Sequence, residues 1–181
     1  MDAAENRAAR AALASCAWFN ELVASGSAEE LEGLSEAIGE THYVIGKAAP
    51  IRMRFAVTYP SSEGGKMSMV VAIYFGRFSD NTLGMAHGGA VASCIDFITA
   101  ISASATAGLA KASLTKSLEV RYLSKTPLGQ VVRLDTDGEY LGNGEALISA
   151  EISDPVTNSP CARGKAILVD LERRAAEKAK L

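Results

Sequence analysis

The feature that most constrains the fold is the twenty-residue run GGAVASCIDFITAISASATA, Gly88 to Ala107. It is apolar or small nearly all round, and Gly108 follows it as a natural helix stop. Val91, Ile95, Ile98, Thr99 and Ile101 are poor helix formers. The run is nevertheless too long for one strand and lacks period-two alternation, so a helix of about 30 Å is expected. A helix with apolar or small residues on most sides must be buried on most sides. Ala90, Ala92, Ser93, Ala100, Ser102, Ala103, Ser104 and Ala105 are small enough for a sheet to curl closely around it. A chain of 181 residues, 48% hydrophobic, supports one such core.

The segments on either side read as strands. IRMRFAVTY places Ile51, Met53, Phe55 and Val57 on one face, and MSMVVAIYFGRF (67–78) is a long strand. Four more strands follow the helix: 115–123, 131–141, 145–154 and 161–171. Asn143-Gly144 is the strongest hairpin signal, and a second turn spans Asp154 to Pro160. Short turns imply antiparallel neighbours. The expected class is α+β: a curved antiparallel sheet wrapped around one long central helix, which is the hotdog architecture, or else a sheet with one covering helix. Residues 3–25 read as an alanine-rich helix with Leu13, Ala17, Trp18, Leu22 and Val23 on its apolar stripe. Ser27-Ala28-Glu29-Glu30 reads as a capping box opening a second short helix to about Ile38. The expected organisation is a helical extension over 1–49, one domain over 50–171 and a charged tail over 172–181.

Composition excludes several functions. The net charge of −3 gives no basic field for nucleic acid. Two histidines, His42 and His87, rule out a histidine-rich metal site. Cys16, Cys94 and Cys161 are odd in number with no C-x-x-C pair, which favours free thiols in a reducing compartment. No apolar run is expected to reach the ~18 residues of a membrane span. The alanine- and arginine-bearing start could pass for a transit peptide, but Asp2 and Glu5 oppose that and favour an ordinary helix.

The chemistry gathers at the start of the long helix. A helix N-terminus carries unpaired N–H groups and partial positive charge. Gly88 and Gly89, just after His87, leave its backbone open to a ligand. A carbonyl oxygen gaining negative charge suits such a place, as acyl transfer requires. Asp96 then lies among Cys94, Ile95, Phe97 and Ile98. An unpaired buried carboxylate is costly, so it must be bonded, for instance to Ser93 or Thr99, or poised as a base or nucleophile facing a wet cleft. Eight residues separate Gly88 from Asp96, about 12 Å along the axis. One helix cannot readily bring both to one reacting carbon. Two antiparallel helices of a symmetric homodimer could, so composite sites at a dimer interface are expected.

The pattern Asn81, Gly84, His87, Gly88, Gly89 and Asp96 resembles the PaaI-like and Them-type hotdog acyl-CoA thioesterases. The likeness continues through TKSLEVRYLSKTPLGQ and YLGNGEALISAEISD to the final strand, over roughly residues 50–170, leaving the first ~45 residues uncovered. The resemblance implies that the Gly88 N–H polarises a thioester carbonyl, that Asn81 positions the carbonyl or the water, that Asp96 activates water or attacks, and that Thr115 orients the water. It places Gly89 in the substrate site, and Tyr122, Ser124, Lys125 and the loop Gly142-Asn143-Gly144 where relatives contact coenzyme A. His87 either fixes the turn or takes a direct catalytic part. From sequence alone, Thr115 is an ordinary strand residue and Asn81 an ordinary turn residue.

The expected function is hydrolysis of acyl-CoA to free acid and coenzyme A by a homodimer or a dimer of dimers. No cofactor or metal is expected, since coenzyme A is part of the substrate. Partners do not include nucleic acid or a membrane span. The expected location is cytoplasmic, with mitochondrial as the alternative. The rival functions are a hotdog acyl-thioester dehydratase or hydratase, which would need a histidine–carboxylate pair, and a non-catalytic acyl-CoA binding module.

Overall fold

The long helix forms where its sequence requires it, Gly88–Ala107 (α3), closed by Gly108 in the left-handed region at φ 66°. The computed structural model describes residues 3–34, 42, 44, 49–60, 66–109 and 113–179. Val91, Cys94, Ile95, Ile98, Thr99, Ser102, Ala103 and Thr106 are buried along one stripe of α3. A β-branched residue costs a helix about 0.5 kcal/mol against alanine, whereas burying its side chain stabilises by about 1.5–3 kcal/mol. Tertiary burial therefore decides the helix, not local propensity.

The sheet has seven strands in the order β1-β2-β3-β5-β6-β7-β4, every neighbouring pair antiparallel. They are β1 (Ala28–Glu30), β2 (Ile51–Thr58), β3 (Ser68–Phe75), β4 (Leu114–Tyr122), β5 (Val131–Gly142), β6 (Glu145–Asp154) and β7 (Ser159–Val169). Ile51, Met53, Phe55 and Val57 share one buried face, as their alternation requires, and join Val71, Ile73, Val91, Ile95 and Ile98 in the main core. Close approach of sheet to helix depends on two strand glycines. A Cβ at Gly164 would collide with Ile95, and one at Gly138 with Thr106. The β5–β6 hairpin turns at Asn143 and Gly144, with φ of 54° and 70°, the pair of positive values that a tight two-residue hairpin favours.

Two helices, α1 (Ala3–Ala14) and α2 (Ala17–Ala24), cover the outer face of β2 and β3. Leu13, Cys16 and Phe19 pack there on Ala56, Ala72 and Tyr74. Arg54 ties the layer together. It makes two bonds of 2.7 Å to Glu30, donates to Leu13 O and Asn20 Oδ1, and lies 4.5 Å from the centre of the Phe19 ring. The far end of the chain is α4 (Leu171–Lys178), whose Arg173 donates to Gly108 O at the end of α3.

Four expectations are corrected. The helix expected over 3–25 is two helices, broken at Ser15–Cys16. The capping box does not open a helix: Ala28–Glu30 is a strand paired with Ala56–Thr58, because strand pairing and the Arg54–Glu30 bonds outweigh a local cap. The rest of that expected helix, beyond Leu34, lies outside the described residues. The strand expected over 67–78 ends at Phe75, and Arg77–Ser79 is a 3-10 turn that starts the motif loop. Finally, Gly88–Ala107 does have the length and composition of a membrane span, with a window mean hydropathy of 1.5. Here that hydropathy is spent on the sheet, and the helix carries a carboxylate.

Substituting Gly164→Ala forces a methyl group into Ile95. The expected outcome is a loss of about 1–3 kcal/mol in urea unfolding at an unchanged m-value.

Candidate active site

The loop from Asp80 to His87 delivers the chain to the helix start. Asp80 Oδ1 accepts the Gly84 N–H at 3.0 Å, and Asn81 Oδ1 accepts the Leu83 N–H at 2.9 Å. Thr82 and Gly84 take positive φ inside this bend, 71° and 75°. Asn81 thus shapes the loop with its carbonyl oxygen and keeps its NH₂ as the group that could reach a ligand. The main chain is then fixed by His87 N–H to Ser79 O at 2.6 Å and Ala86 N–H to Thr126 O at 2.9 Å.

His87 is the N-cap of α3. Its Nδ1 accepts the Gly89 N–H at 2.9 Å, so this nitrogen carries no proton in the capped state. Tyr122, at the end of β4, donates its hydroxyl to Gly88 O at 2.8 Å and lays its ring beside Gly88. Among the described residues, no acceptor meets the Gly88 N–H. It stands at the positive end of the helix, available to an oxyanion.

Asp96 is half-buried, near the middle of α3, and its partner is Thr115. The Thr115 hydroxyl donates to Asp96 Oδ1 at 2.9 Å. The nearer hydroxyls are engaged elsewhere: Ser93 donates to Gly89 O, and Thr99 to the main-chain oxygen of Asp96. Thr115 reaches the carboxylate because of a β-bulge. In the pairing of β4 with β7, Lys116 is skipped: Thr115 faces Leu168 and Ser117 faces Ile167. Across from Tyr122, Val120 and Leu118 lie Ala162, Gly164 and Ala166, all on the helix side of β7. Strict alternation would send Lys116 to that side. The extra residue changes the parity and turns Thr115 inward.

The residues expected to contact coenzyme A divide. Ser124 donates its hydroxyl to Pro160 O at 2.9 Å, and Lys125 is exposed just past β4. Gly142, Asn143 and Gly144 lie at the hairpin that packs on α4, away from Gly88. The Gly144 N–H donates to Tyr140 Oη, and a Cβ there would meet Asp170 O at 2.6 Å. The motif glycines, His87 and Tyr122 therefore form one group, Asp96 and Thr115 a second, and the hairpin glycines stand apart. The bulge at Lys116 and the Tyr122–Gly88 contact escape sequence reading. The only hint of the second was an aromatic residue at a strand end.

Cys94, two residues before Asp96, is no nucleophile. It is wholly buried, and burial pushes its thiol far above the usual range. Cys16 and Cys161 are shifted upward by burial as well. Among the described residues, no three His, Cys, Asp or Glu side chains group as metal ligands.

A long helix within a curved antiparallel sheet defines the hotdog fold. Residues 83–161, rather less than half the chain, match the family model of the thioesterase superfamily. Among solved structures, the chain is similar to zebrafish thioesterase superfamily member 2, with a TM-score of 0.54 and 14% identity over 64% of this chain and 80% of that one. It is also similar to the Escherichia coli PaaI protein from the phenylacetic acid degradation operon (TM-score 0.52, 17% identity, 68% of this chain and 81% of that one). A third is a Streptococcus mutans protein bound to acetyl CoA (TM-score 0.50, 19% identity, 60% and 84%). No curated protein sequence matches the chain. The resemblance to PaaI-like and Them-type hotdog thioesterases, and the fold that it implied, both hold.

With every thiol buried and protonated, the folded protein at pH 8 is expected to be inert to a thiol reagent. All three cysteines should react once it is unfolded in guanidinium. Rapid labelling of one thiol in the native state would contradict the burial of these groups.

Proposed function

We propose that this protein is an acyl-CoA thioesterase working as a homodimer with composite active sites. The observation that carries the reading is the half-buried Asp96, held by the Thr115 hydroxyl on the same helix that begins with the unpaired Gly88 N–H. A carboxylate held by a hydroxyl can take a proton from water. An open helix start can hold the oxygen that becomes negative as that water adds to a thioester. The Asp96 carboxylate takes the water proton as the water oxygen adds to the carbonyl carbon. The Gly88 N–H meets the resulting oxyanion, with the Asn81 amide as a second donor. Collapse of the tetrahedral species breaks the C–S bond, and the departing thiolate takes up the proton, leaving a free acid and coenzyme A.

The dimer follows from distance and from an uncovered edge. Gly88 and Asp96 stand about 12 Å apart along one axis, too far to act on one carbon. Among the described residues, strand β4 is an edge strand that pairs only with β7, and it bares Leu114, Leu118 and Tyr122, 56%, 37% and 56% exposed. An unpaired edge with exposed apolar side chains calls for a partner. A second copy of β4 across a twofold axis would carry each Asp96 toward the other copy's helix start. In this reading Lys125 and Ser124 border the entrance for coenzyme A. A dehydratase is less well supported, because His87 uses its Nδ1 in the Gly89 cap, and among the described residues no carboxylate pairs with it.

In a hydrolysis screen over short, medium, long and aromatic acyl-CoAs, thiol release should be found with at least one class. Asp96→Asn should lower it about a hundred-fold or more, and Thr115→Ala about ten-fold. Tight acyl-CoA binding without turnover in the wild-type protein would instead identify a binding module. Mixed dimers of Asp96→Asn and Asn81→Ala subunits should regain one working site in two. Activity no greater than that of the separate variants would exclude the cross-subunit site.

A further inference from the structure

The peptide unit between Gly88 and Gly89 is held from both sides. Its oxygen, Gly88 O, accepts the Tyr122 hydroxyl at 2.8 Å. Its nitrogen, Gly89 N, donates to His87 Nδ1 at 2.9 Å. The same two side chains account for both glycines. A Cβ on Gly88 would lie 3.2 Å from Tyr122 Cζ, and one on Gly89 would lie 3.0 Å from His87 Nδ1. Larger residues would press on the two groups that hold the peptide.

Two adjacent glycines are the most freely rotating pair a chain can place at a helix start. Their value to an oxyanion site is open access, and their cost is an ill-defined donor direction. Donors for developing charge act well only when aimed in advance, so that freedom has to be removed by something outside the glycines. The cap at His87 fixes one end of the peptide plane. A second fixed point comes from β4, where Tyr122 closes the strand that carries Thr115 at its other end. The peptide before it, His87–Gly88, contains the Gly88 N–H and is anchored by Val91 N–H to His87 O; the Ala86–His87 peptide before that is anchored by His87 N–H to Ser79 O. The Gly88 N–H, which meets no acceptor among the described residues, therefore lies in a peptide flanked on both sides by held ones.

We propose that Tyr122 is a positioning residue: together with the His87 cap it clamps the Gly88–Gly89 peptide and so aims the Gly88 N–H. This deepens the thioesterase reading and rests on it for its catalytic consequence. It departs from the role that the resemblance implied for Tyr122, contact with coenzyme A. It also gives His87 the part of a cap rather than of an acid or base.

The test combines one measurement without substrate and one with it. Tyr122→Phe keeps the ring against Gly88 and removes only the hydroxyl. In the substrate-free protein, NMR-resolved hydrogen exchange at the Gly89 amide should be about ten-fold faster in Tyr122→Phe and in His87→Ala, and near wild-type in His87→Asn, whose side-chain oxygen can cap in place of the imidazole. With acyl-CoA, kcat should fall about ten-fold in Tyr122→Phe while KM stays within two-fold, and His87→Asn should recover most of what His87→Ala loses. A raised KM with unchanged kcat in Tyr122→Phe would make Tyr122 a coenzyme A contact and overturn the clamp. So would unchanged Gly89 exchange. Failure of His87→Asn to recover activity despite restored exchange protection would show that His87 does more than cap. If the wild-type protein hydrolyses no acyl-CoA, the thioesterase reading falls, and the exchange result still decides the clamp.

Discussion

The enclosure of α3 by the sheet is the constraint on which the rest depends. The helix contains β-branched residues that would weaken it in water, and it persists because Ile95, Ile98 and Val91 have nowhere else to go. Enclosure demands close approach, which Gly164 and Gly138 permit by leaving room for Ile95 and Thr106. It also fixes what remains outside. With one stripe of the helix committed to the core, Asp96 falls on the flank toward β4 and the helix start lies open at the end of the sheet. Gly88 and Asp96 thus stand where the packing of the helix puts them.

Strand β4 is the second determinant. It runs antiparallel to α3 and touches it at two chemical points, Thr115 on Asp96 and Tyr122 on Gly88. A single bulged residue, Lys116, makes the first contact possible by reversing the strand's parity. Lys116 then reaches across β7 to Glu145 at 2.8 Å, so the irregular end of the strand is tied to the hairpin and, through Glu145, to Arg174 of α4. Among the described residues the other edge of β4 is unpaired, and its inward face shows Leu118 and Tyr122 to solvent. One strand therefore contacts both Asp96 and the helix start, and in the proposed dimer it would also present the surface between the two copies.

Much of the fold was legible because it is encoded locally. Period-two alternation in residues 51–57, the Asn143-Gly144 turn and the apolar run from 88 to 107 each specify their own structure. The errors came where a local signal met a non-local partner. Ser27 to Glu30 carries a good helix cap, yet Glu30 is drawn by Arg54, 24 residues away, into a strand beside β2. Part of the candidate site was legible in the same way. Gly88 and Gly89 read as a helix start with an open backbone, and α3 does begin there, with His87 as a cap that the sequence reading did not name. Asp96 read as a carboxylate in need of a partner, but Ser93 and Thr99, which seemed nearest along the chain, bond main-chain oxygens instead.

By itself, the sequence determined the extent of the central helix, its start at Gly88 and the separation of Gly88 from Asp96, since each depends on residue type and on a fixed rise per residue. Only the tertiary structure decided which hydroxyl meets Asp96 and what holds the two glycines still. Those contacts join residues 19 and 34 positions apart, through a bulge and a strand end whose geometry is set by pairing with β7. Pairing register is a property of two strands at once, and no periodicity within one of them records it.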